Sequence, residues 1–225
     1  MNPIERKVRT RLINEAIERV GTVFNKCRYP NIGQRSLIES LSGYPEVLSA
    51  IKDFSRLSWV NKPILVGGMA IAYWARGRMT YDADFIFLSE YRLSKARLLI
   101  EASSKFKVLQ GHYIEHKSSG VTLDLLTPEF INLPVEYLNY IYRTTKEDSG
   151  VRIASIEGLI LMKLSSNRGN KDLADIELLL ENPTIDLTKI EKVIMPEHKR
   201  ILDKLKPHDS LMIEELVKAE LSGEA

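Results

Sequence analysis

The sequence predicts an α/β (α+β) fold, with a small mixed β-sheet core flanked by N-terminal and C-terminal helices. Apolar residues recur about every fourth position before residue 60 and again after residue 155, which indicates amphipathic helices. Between these segments lie short apolar or alternating runs, which indicate strands. The chain has 225 residues, of which 44% are hydrophobic and 28% are charged. It is therefore long enough for one core with helical additions.

Composition excludes several classes of protein. The net charge is only +2, and no apolar run approaches the length of a membrane span. The first residues lack the apolar core of a signal peptide. Cys27 is the single cysteine, so no internal disulfide can form, which fits a reducing compartment. We therefore expect a cytoplasmic protein with no membrane partner.

Residues 1–60 are predicted to form an N-terminal helical segment. Ile4, Val8 and Leu12 share one face of its first helix. Basic residues exceed acidic ones here, and most of them precede residue 36: Arg6, Lys7, Arg9, Arg11, Arg19, Lys26, Arg28 and Arg35. A basic helical arm suits an RNA backbone, but the same charges suit a solvated helix face. Both interpretations stay open.

The central motif begins with a short apolar strand and a glycine pair. Ile64-Leu65-Val66 is typical of a buried strand, and Gly67-Gly68 turns the chain. Residues 69–76 contain no helix breaker and predict a helix, which we expect to end at Gly77. The N–H groups at such a helix start, approached closely where glycine has no side chain, favour a phosphate group.

A pair of acidic residues follows this turn. Asp82 and Asp84 are two positions apart in a predicted strand, so their carboxylates point to the same side, whereas Ala83 and Phe85 face the other way. Two carboxylates on one face repel each other, and a divalent cation relieves the repulsion. Oxygen ligands of this kind suit Mg²⁺. A phosphate cradle beside a Mg²⁺ pair indicates transfer of phosphoryl or nucleotidyl groups.

A third carboxylate stands in a predicted hairpin. Residues 112–116 and 121–126 form its two arms, joined by a turn rich in small and polar residues. Asp124 lies among apolar neighbours in the second arm, where burial is unfavourable unless something pairs with it. If this strand lies beside the Asp82/Asp84 strand, Asp124 completes a cluster of three carboxylates. The alternative is an edge strand with Asp124 in water.

The C-terminal part is predicted to be mostly helical. We expect a helix over residues 135–142, a polar loop over 144–150, and a helix capped by Ser155 that carries Lys163.

A further helix, residues 171–180, places Asp172 and Asp175 on one face. Salt bridging on the helix surface is the alternative to a role for these charges. The four histidines show no metal-ligand spacing, and we expect them at the surface: His112, His116, His198 and His208.

These residues resemble the nucleotidyltransferase superfamily, which is related in fold to DNA polymerase beta. The closest likeness is to the AbiEii-type abortive-infection toxin nucleotidyltransferases. The shared pattern consists of Gly67-Gly68, Arg78-Met79-Thr80, Asp82-Ala83-Asp84, Asp124, Lys163, Arg168 and Lys171-Asp172-Leu173-Ala174-Asp175-Ile176. It implies a nucleotidyltransferase core at residues 61–128, between the helical segment 1–60 and a helical region at 129–225.

The resemblance also implies roles. The metal ligands for Mg²⁺ would be Asp82, Asp84 and Asp124, and these three would be catalytic together with Lys163 and Asp175. Asp124 would be a ligand or the general base, and Asp175 would orient Lys163 or the acceptor. The nucleotide-binding residues would be Gly67, Gly68, Arg78, Thr80 and Lys163.

The implied activity is Mg²⁺-dependent transfer of a nucleoside monophosphate from an NTP, such as ATP, to a hydroxyl of RNA, tRNA or a protein. The chain could then be the toxin of a toxin–antitoxin system, with an antitoxin protein as partner. Two alternatives stay open. One is a non-catalytic nucleotide-binding or antitoxin-partner module of the same fold. The other is a nucleotidyltransferase for small molecules similar to aminoglycosides.

Overall fold

The structure, a computed structural model, describes residues 35–75, 80–166 and 168–205. Four predictions lie outside these residues: the basic helix before residue 35, the nucleotide contact of Arg78, the surface position of His208, and the tail after residue 205.

A mixed sheet of seven strands forms the centre of the described chain. Its strands are β1 Ile64–Val66, β2 Ala83–Ile86, β3 Phe106–Val108, β4 Tyr113–His116, β5 Thr122–Leu126, β6 Lys146–Asp148 and β7 Val151–Ile153. Across the sheet they lie in the order β3-β4-β5-β2-β1-β7-β6. β2 is antiparallel to β1 and parallel to β5, and β7 is parallel to β1. The predicted α/β (α+β) class is confirmed.

Helices flank this sheet. They are α1 Leu37–Ser40, α2 Pro45–Ser55, α3 Gly67–Trp74, α4 Glu90–Glu101, α5 Val135–Arg143, α6 Ile156–Ser166, α7 Asn170–Leu180, α8 Leu187–Glu191 and α9 Pro196–Leu205. None of the helices in the described ranges is long and apolar enough to span a bilayer.

The two sides of β2 serve different purposes. Ala83 and Phe85 are completely buried, and the Phe85 ring lies 4.6 Å from that of Phe54 on α2. Asp84 points to the other side because strand side chains alternate. One face of β2 therefore builds the core, as predicted, and the opposite face is available for a site.

Helix α3 begins directly after β1 and is fixed at its other end. It starts at Gly67, two residues earlier than predicted. It ends at Trp74 because Ala75 is extended (φ −138°, ψ 152°), so the predicted end at Gly77 is wrong. The Trp74 indole donates a hydrogen bond to the Ala154 carbonyl at 2.8 Å, and the buried Asn182 amide donates to the Trp74 carbonyl at 2.6 Å. The glycine corner is therefore tied to the strand and helices of the C-terminal half.

The predicted polar loop at residues 144–150 is wrong, because it contains strand β6. Lys146 places its ammonium about 5 Å from the rings of Tyr73 and Trp74, at 5.1 and 5.2 Å. Asp148 accepts hydrogen bonds from the Leu37 N–H and the Tyr73 hydroxyl, both at 3.0 Å. Polar side chains form this edge strand because each has a distant partner.

The expected surface position of His116 is also wrong. Its side chain is buried, with Nε2 3.2 Å from an Asp53 carboxylate oxygen and Nδ1 2.7 Å from the Ser119 hydroxyl. These contacts join α2 to the β4–β5 turn on the core face of the sheet.

Candidate active site

Asp84 and Asp124 lie directly opposite each other in the neighbouring parallel strands β2 and β5. Asp82 stands one residue before β2. All three side chains line one cavity of about 500 Å³. The prediction that the strand of Asp124 lies beside the strand of Asp82 and Asp84 is therefore confirmed. The alternative, an edge strand with Asp124 in water, is wrong because β5 lies between β4 and β2.

The glycine corner closes one side of this cavity. Gly67 has φ +61°, and a Cβ atom there would lie 1.8 Å from an Asp84 carboxylate oxygen. The Gly68 N–H donates a hydrogen bond to the Asp84 carboxylate. The space that glycine leaves is therefore taken by the chain's own Asp84, which is held against the start of α3. Both glycines line the cavity, as does Thr80.

Thr80 fixes the remaining carboxylate. Its hydroxyl donates a short hydrogen bond to the Asp82 carboxylate. A Cβ atom on Gly68 would lie 2.7 Å from the Thr80 methyl group. Thr80 can therefore occupy this position only because residue 68 is a glycine. Thr80 and the glycine pair together set the positions of Asp82 and Asp84.

Burial and like charges act on these carboxylates. Burial, followed by the charges of Asp82 and Asp124, raises the pKa of Asp84 to about 6. The Gly68 N–H and the Lys163 ammonium oppose that rise. The shift shows that the three carboxylates interact across the cavity.

Asp124 has a raised pKa as well. Burial is the main cause and the Asp82 charge adds to it, while His112, the Leu125 N–H and Arg168 oppose it. The Oδ1 atom of Asp124 is buried and has no hydrogen-bond partner among the described residues. A buried carboxylate oxygen without a donor is costly unless a cation or a substrate hydroxyl meets it.

These residues could hold a divalent cation. The donors are all carboxylate oxygens, which suit a hard cation such as Mg²⁺, and Asp124 contributes an oxygen with no other partner. Within the described ranges, no three acidic, histidine or cysteine side chains already converge into a finished metal site. Like charges keep carboxylates apart, so a cation would have to draw them together.

Three cationic residues also line the cavity, and we call this part of its lining the cationic wall. They are Lys163 at the end of α6, Arg168 in the α6–α7 connection and Lys171 at the start of α7. Lys163 is buried, and its Nζ lies 2.9 Å from Asp172 and 2.7 Å from Asp175. Asp175 does not line the cavity but forms an ion pair with Lys163, which does. Because both aspartates are buried, surface salt bridging is the wrong interpretation of this pair.

Sequence reasoning missed part of the cavity. Tyr113 and Phe130 line it with half-exposed rings, and Asn132 lies beside them. Tyr113 stands opposite Asp124 in the sheet, and the Phe130 ring lies 4.1 Å from that of His112. Pairing of β4 with β5 could have indicated Tyr113, but no local pattern indicates Phe130 or Asn132.

Carboxylates, cationic side chains and half-exposed aromatic rings that line one cavity suit a ligand with phosphate groups and a planar ring. A mixed sheet with this site and these flanking helices defines an α/β protein of the nucleotidyltransferase type. The chain belongs to the family described as "Nucleotidyltransferase of unknown function (DUF6036)", whose model matches residues 46–214.

The chain also has distant likenesses among solved structures. The chain is similar to JHP933 from Helicobacter pylori, with 15% identity, a TM-score of 0.41, and coverage of 83% of this chain and 98% of that one. It is also similar to the Megavirus polyadenylate synthase, with 13% identity, a TM-score of 0.36, and coverage of 83% and 39%. No curated protein matches. The family match, and not these distant likenesses, places the chain among the nucleotidyltransferases.

Proposed function

We propose that this protein is a Mg²⁺-dependent nucleotidyltransferase, which moves a nucleoside monophosphate from an NTP to an acceptor hydroxyl and releases pyrophosphate. The observation that carries the proposal is the shared cavity, whose lining contains three carboxylates together with Lys163, Arg168 and Lys171. Membership of the nucleotidyltransferase family supports the same reaction class.

Asp82 and Asp84 would hold Mg²⁺, with the Asp124 carboxylate close beside it. When bound there, Mg²⁺ neutralises charge on the transferring phosphate and lowers the pKa of the attacking hydroxyl. The Thr80 hydroxyl and the Gly68 N–H orient Asp82 and Asp84 for this task.

The cationic wall would bind the triphosphate. Lys163 offers a point charge, and Arg168 offers a guanidinium that suits a phosphate group. Asp175 keeps the Lys163 ammonium at the cavity wall through their 2.7 Å contact. Charge that develops on the leaving pyrophosphate is stabilised on this side. Gly67 and Gly68 would contribute indirectly, because the space that they leave lets the Asp84 carboxylate lie against the start of α3.

Asp124 would act as the general base. In the transfer step the acceptor oxygen forms a bond to the α-phosphorus, and the bond from that phosphorus to the bridging oxygen of the β-phosphate breaks. The acceptor proton passes to the Asp124 carboxylate, and pyrophosphate leaves. The Oδ1 atom of Asp124, which is buried and has no hydrogen-bond partner among the described residues, suits this role.

The acceptor would be RNA, including tRNA, or a protein. The half-exposed rings of Tyr113 and Phe130 beside Asp124 favour RNA, because bases stack on such rings. On this proposal the chain could act as the toxin of a toxin–antitoxin pair, as the likeness to the AbiEii type implies.

Label transfer tests this function. The full chain is incubated with each α-labelled NTP, Mg²⁺ and total RNA or lysate, and the products are divided by nuclease and protease sensitivity. We expect Mg²⁺-dependent label in a macromolecule, reduced by about a hundredfold or more in Asp82→Asn, Asp84→Asn and Asp124→Asn. Asp148→Asn is the matched control, because Asp148 lies outside the cavity and should leave transfer unchanged.

Nuclease-sensitive label would identify an RNA acceptor, and protease-sensitive label a protein. Binding of NTP without any transfer would contradict the proposal and favour a non-catalytic module. Full activity in Asp82→Asn would remove the role assigned to that carboxylate.

A further inference from the structure

Two buried aspartates contact the cationic wall, and their burial in charged form requires a physical explanation. Asp172 and Asp175 on α7 are both buried, at 1% and 3% exposure, and they share the Lys163 ammonium between them. Buried ion pairs seldom gain much stability over apolar residues of the same size. Two carboxylates around one ammonium also leave an excess negative charge. Stability of the fold alone is therefore a poor reason for this cluster.

Asp172 contacts three residues that line the cavity. Its Oδ1 accepts from Lys163 Nζ at 2.9 Å, and its Oδ2 accepts from the Ser166 hydroxyl at 2.5 Å and the Arg168 N–H at 2.8 Å. Arg168 Nε lies 3.5 Å from the same Oδ2. All three partners line the cavity, whereas Asp172 does not.

The contact with Arg168 has a second consequence. The ion pair with Asp172 is made through the Nε of this guanidinium, and the Arg168 side chain is 64% exposed. The two terminal nitrogens have no hydrogen-bond partner among the described residues and form the fork that suits a phosphate group. The positive charge of Arg168 also offsets the excess negative charge of the aspartate pair. The Asp172 carboxylate therefore contacts both cationic side chains, Lys163 and Arg168, and partly neutralises their charge.

We infer that Asp172 is a positioning residue, which holds Lys163 and Arg168 in the geometry that binds the β- and γ-phosphates of the NTP. The inference rests on the proposed function and adds a residue that makes no contact with substrate. Burial tends to raise the pKa of Asp172, but hydrogen bonds from Ser166, Lys163 and Arg168 keep it below its ordinary value. The carboxylate therefore stays charged at neutral pH, as this role requires.

Binding of inorganic tripolyphosphate tests the inference directly. Affinities of the full chain for tripolyphosphate and for ATP are measured by calorimetry in excess Mg²⁺, far below the unfolding temperature. Asp172→Asn keeps the shape of the side chain but removes its charge, so we expect about a tenfold or greater loss of affinity for both ligands. In the transfer assay the variant should raise KM for NTP more than it lowers kcat.

Asp148→Asn is the matched control. Asp148 also accepts two hydrogen bonds from distant residues, but far from the cavity, so this variant should lower the unfolding temperature and leave tripolyphosphate affinity unchanged. A double-mutant cycle with Arg168→Gln supplies a further readout. The two substitutions should be clearly non-additive, since Asp172 acts partly through Arg168.

A merely structural Asp172 predicts the opposite pattern: Asp172→Asn would unfold at lower temperature but bind tripolyphosphate as tightly as the wild type. That result would overturn the inference and leave the proposed function standing. If Asp172→Asn does not fold, Ser166→Ala removes one of its hydrogen bonds and should weaken tripolyphosphate binding roughly fivefold. A wild-type chain that binds neither tripolyphosphate nor ATP would overturn the proposed function itself.

Discussion

At Gly67 the need for a glycine could be predicted from the sequence, but the group that lies against it could not. The sequence indicated a position where no side chain fits, and a Cβ atom there would indeed collide with a carboxylate oxygen at 1.8 Å. The colliding group is Asp84, however, whereas the sequence predicted an incoming phosphate group there. That neighbour depends on the pairing of Val66 with Asp84 across β1 and β2, which no local pattern specifies.

The pH dependence of stability should follow from Asp84. Its pKa rises from 3.8 to about 6 on folding, mainly through burial and then through Asp82 and Asp124. The folded state therefore binds more protons than the unfolded state between these values. Protonated Asp84 therefore contributes to the free energy of unfolding below about pH 4, and this contribution is lost as the pH rises through about 6. The loss in the free energy of unfolding is at most roughly 3 kcal/mol.

Asp84→Asn removes this titration and the repulsion of its neighbours. We expect the variant to be more stable than the wild type at pH 7.5 without Mg²⁺. Its free energy of unfolding should also not fall between pH 4 and 6, as that of the wild type does. Urea unfolding at several pH values measures both effects, with Asp148→Asn as the control that should keep the decline. An equally steep decline in Asp84→Asn would show that another group causes it.

Helix α6 carries Lys163 to the cavity, and its start was predicted correctly. Ser155 accepts a hydrogen bond from the Gly158 N–H at 3.1 Å, and its hydroxyl lies 2.8 Å from that of Thr144. Strand β6 and the burial of His116 were not predicted. Their partners are far away in sequence: Asp148 meets Leu37, and His116 meets Asp53, so local patterns carry no information on either.

Loss of this helix cap should cost stability but not binding. Ser155→Ala removes both contacts, and we expect the free energy of unfolding to fall by about 1 kcal/mol, with unchanged affinity for ATP. Urea unfolding and calorimetry measure the two quantities. Ser89→Ala, which removes the longer 3.4 Å cap contact of α4, should have a smaller effect on unfolding. Weaker ATP binding in Ser155→Ala would contradict a purely structural role for the cap.

Taken together, the chain builds its candidate site from parts that lie about a hundred residues apart. The acids come from β2 and β5, the glycine corner from the β1–α3 junction, and the cations from α6 and α7. The acids could be predicted because carboxylates in apolar strands are unusual. The pairing of Lys163 with Asp172 and Asp175, and the rings at the rim, could not, because they depend on how α6, α7 and the loop after β5 pack together.

The location of a bound cation and nucleotide tests this arrangement most directly. A crystal of the full chain with Mn²⁺ and a non-hydrolysable NTP would locate the metal by anomalous scattering. We predict Mn²⁺ bound by Asp82 and Asp84 and close to Asp124, with the triphosphate extending toward Lys163 and Arg168. A cation elsewhere in the molecule, or a triphosphate that avoids the cationic wall, would contradict the proposed nucleotidyl transfer.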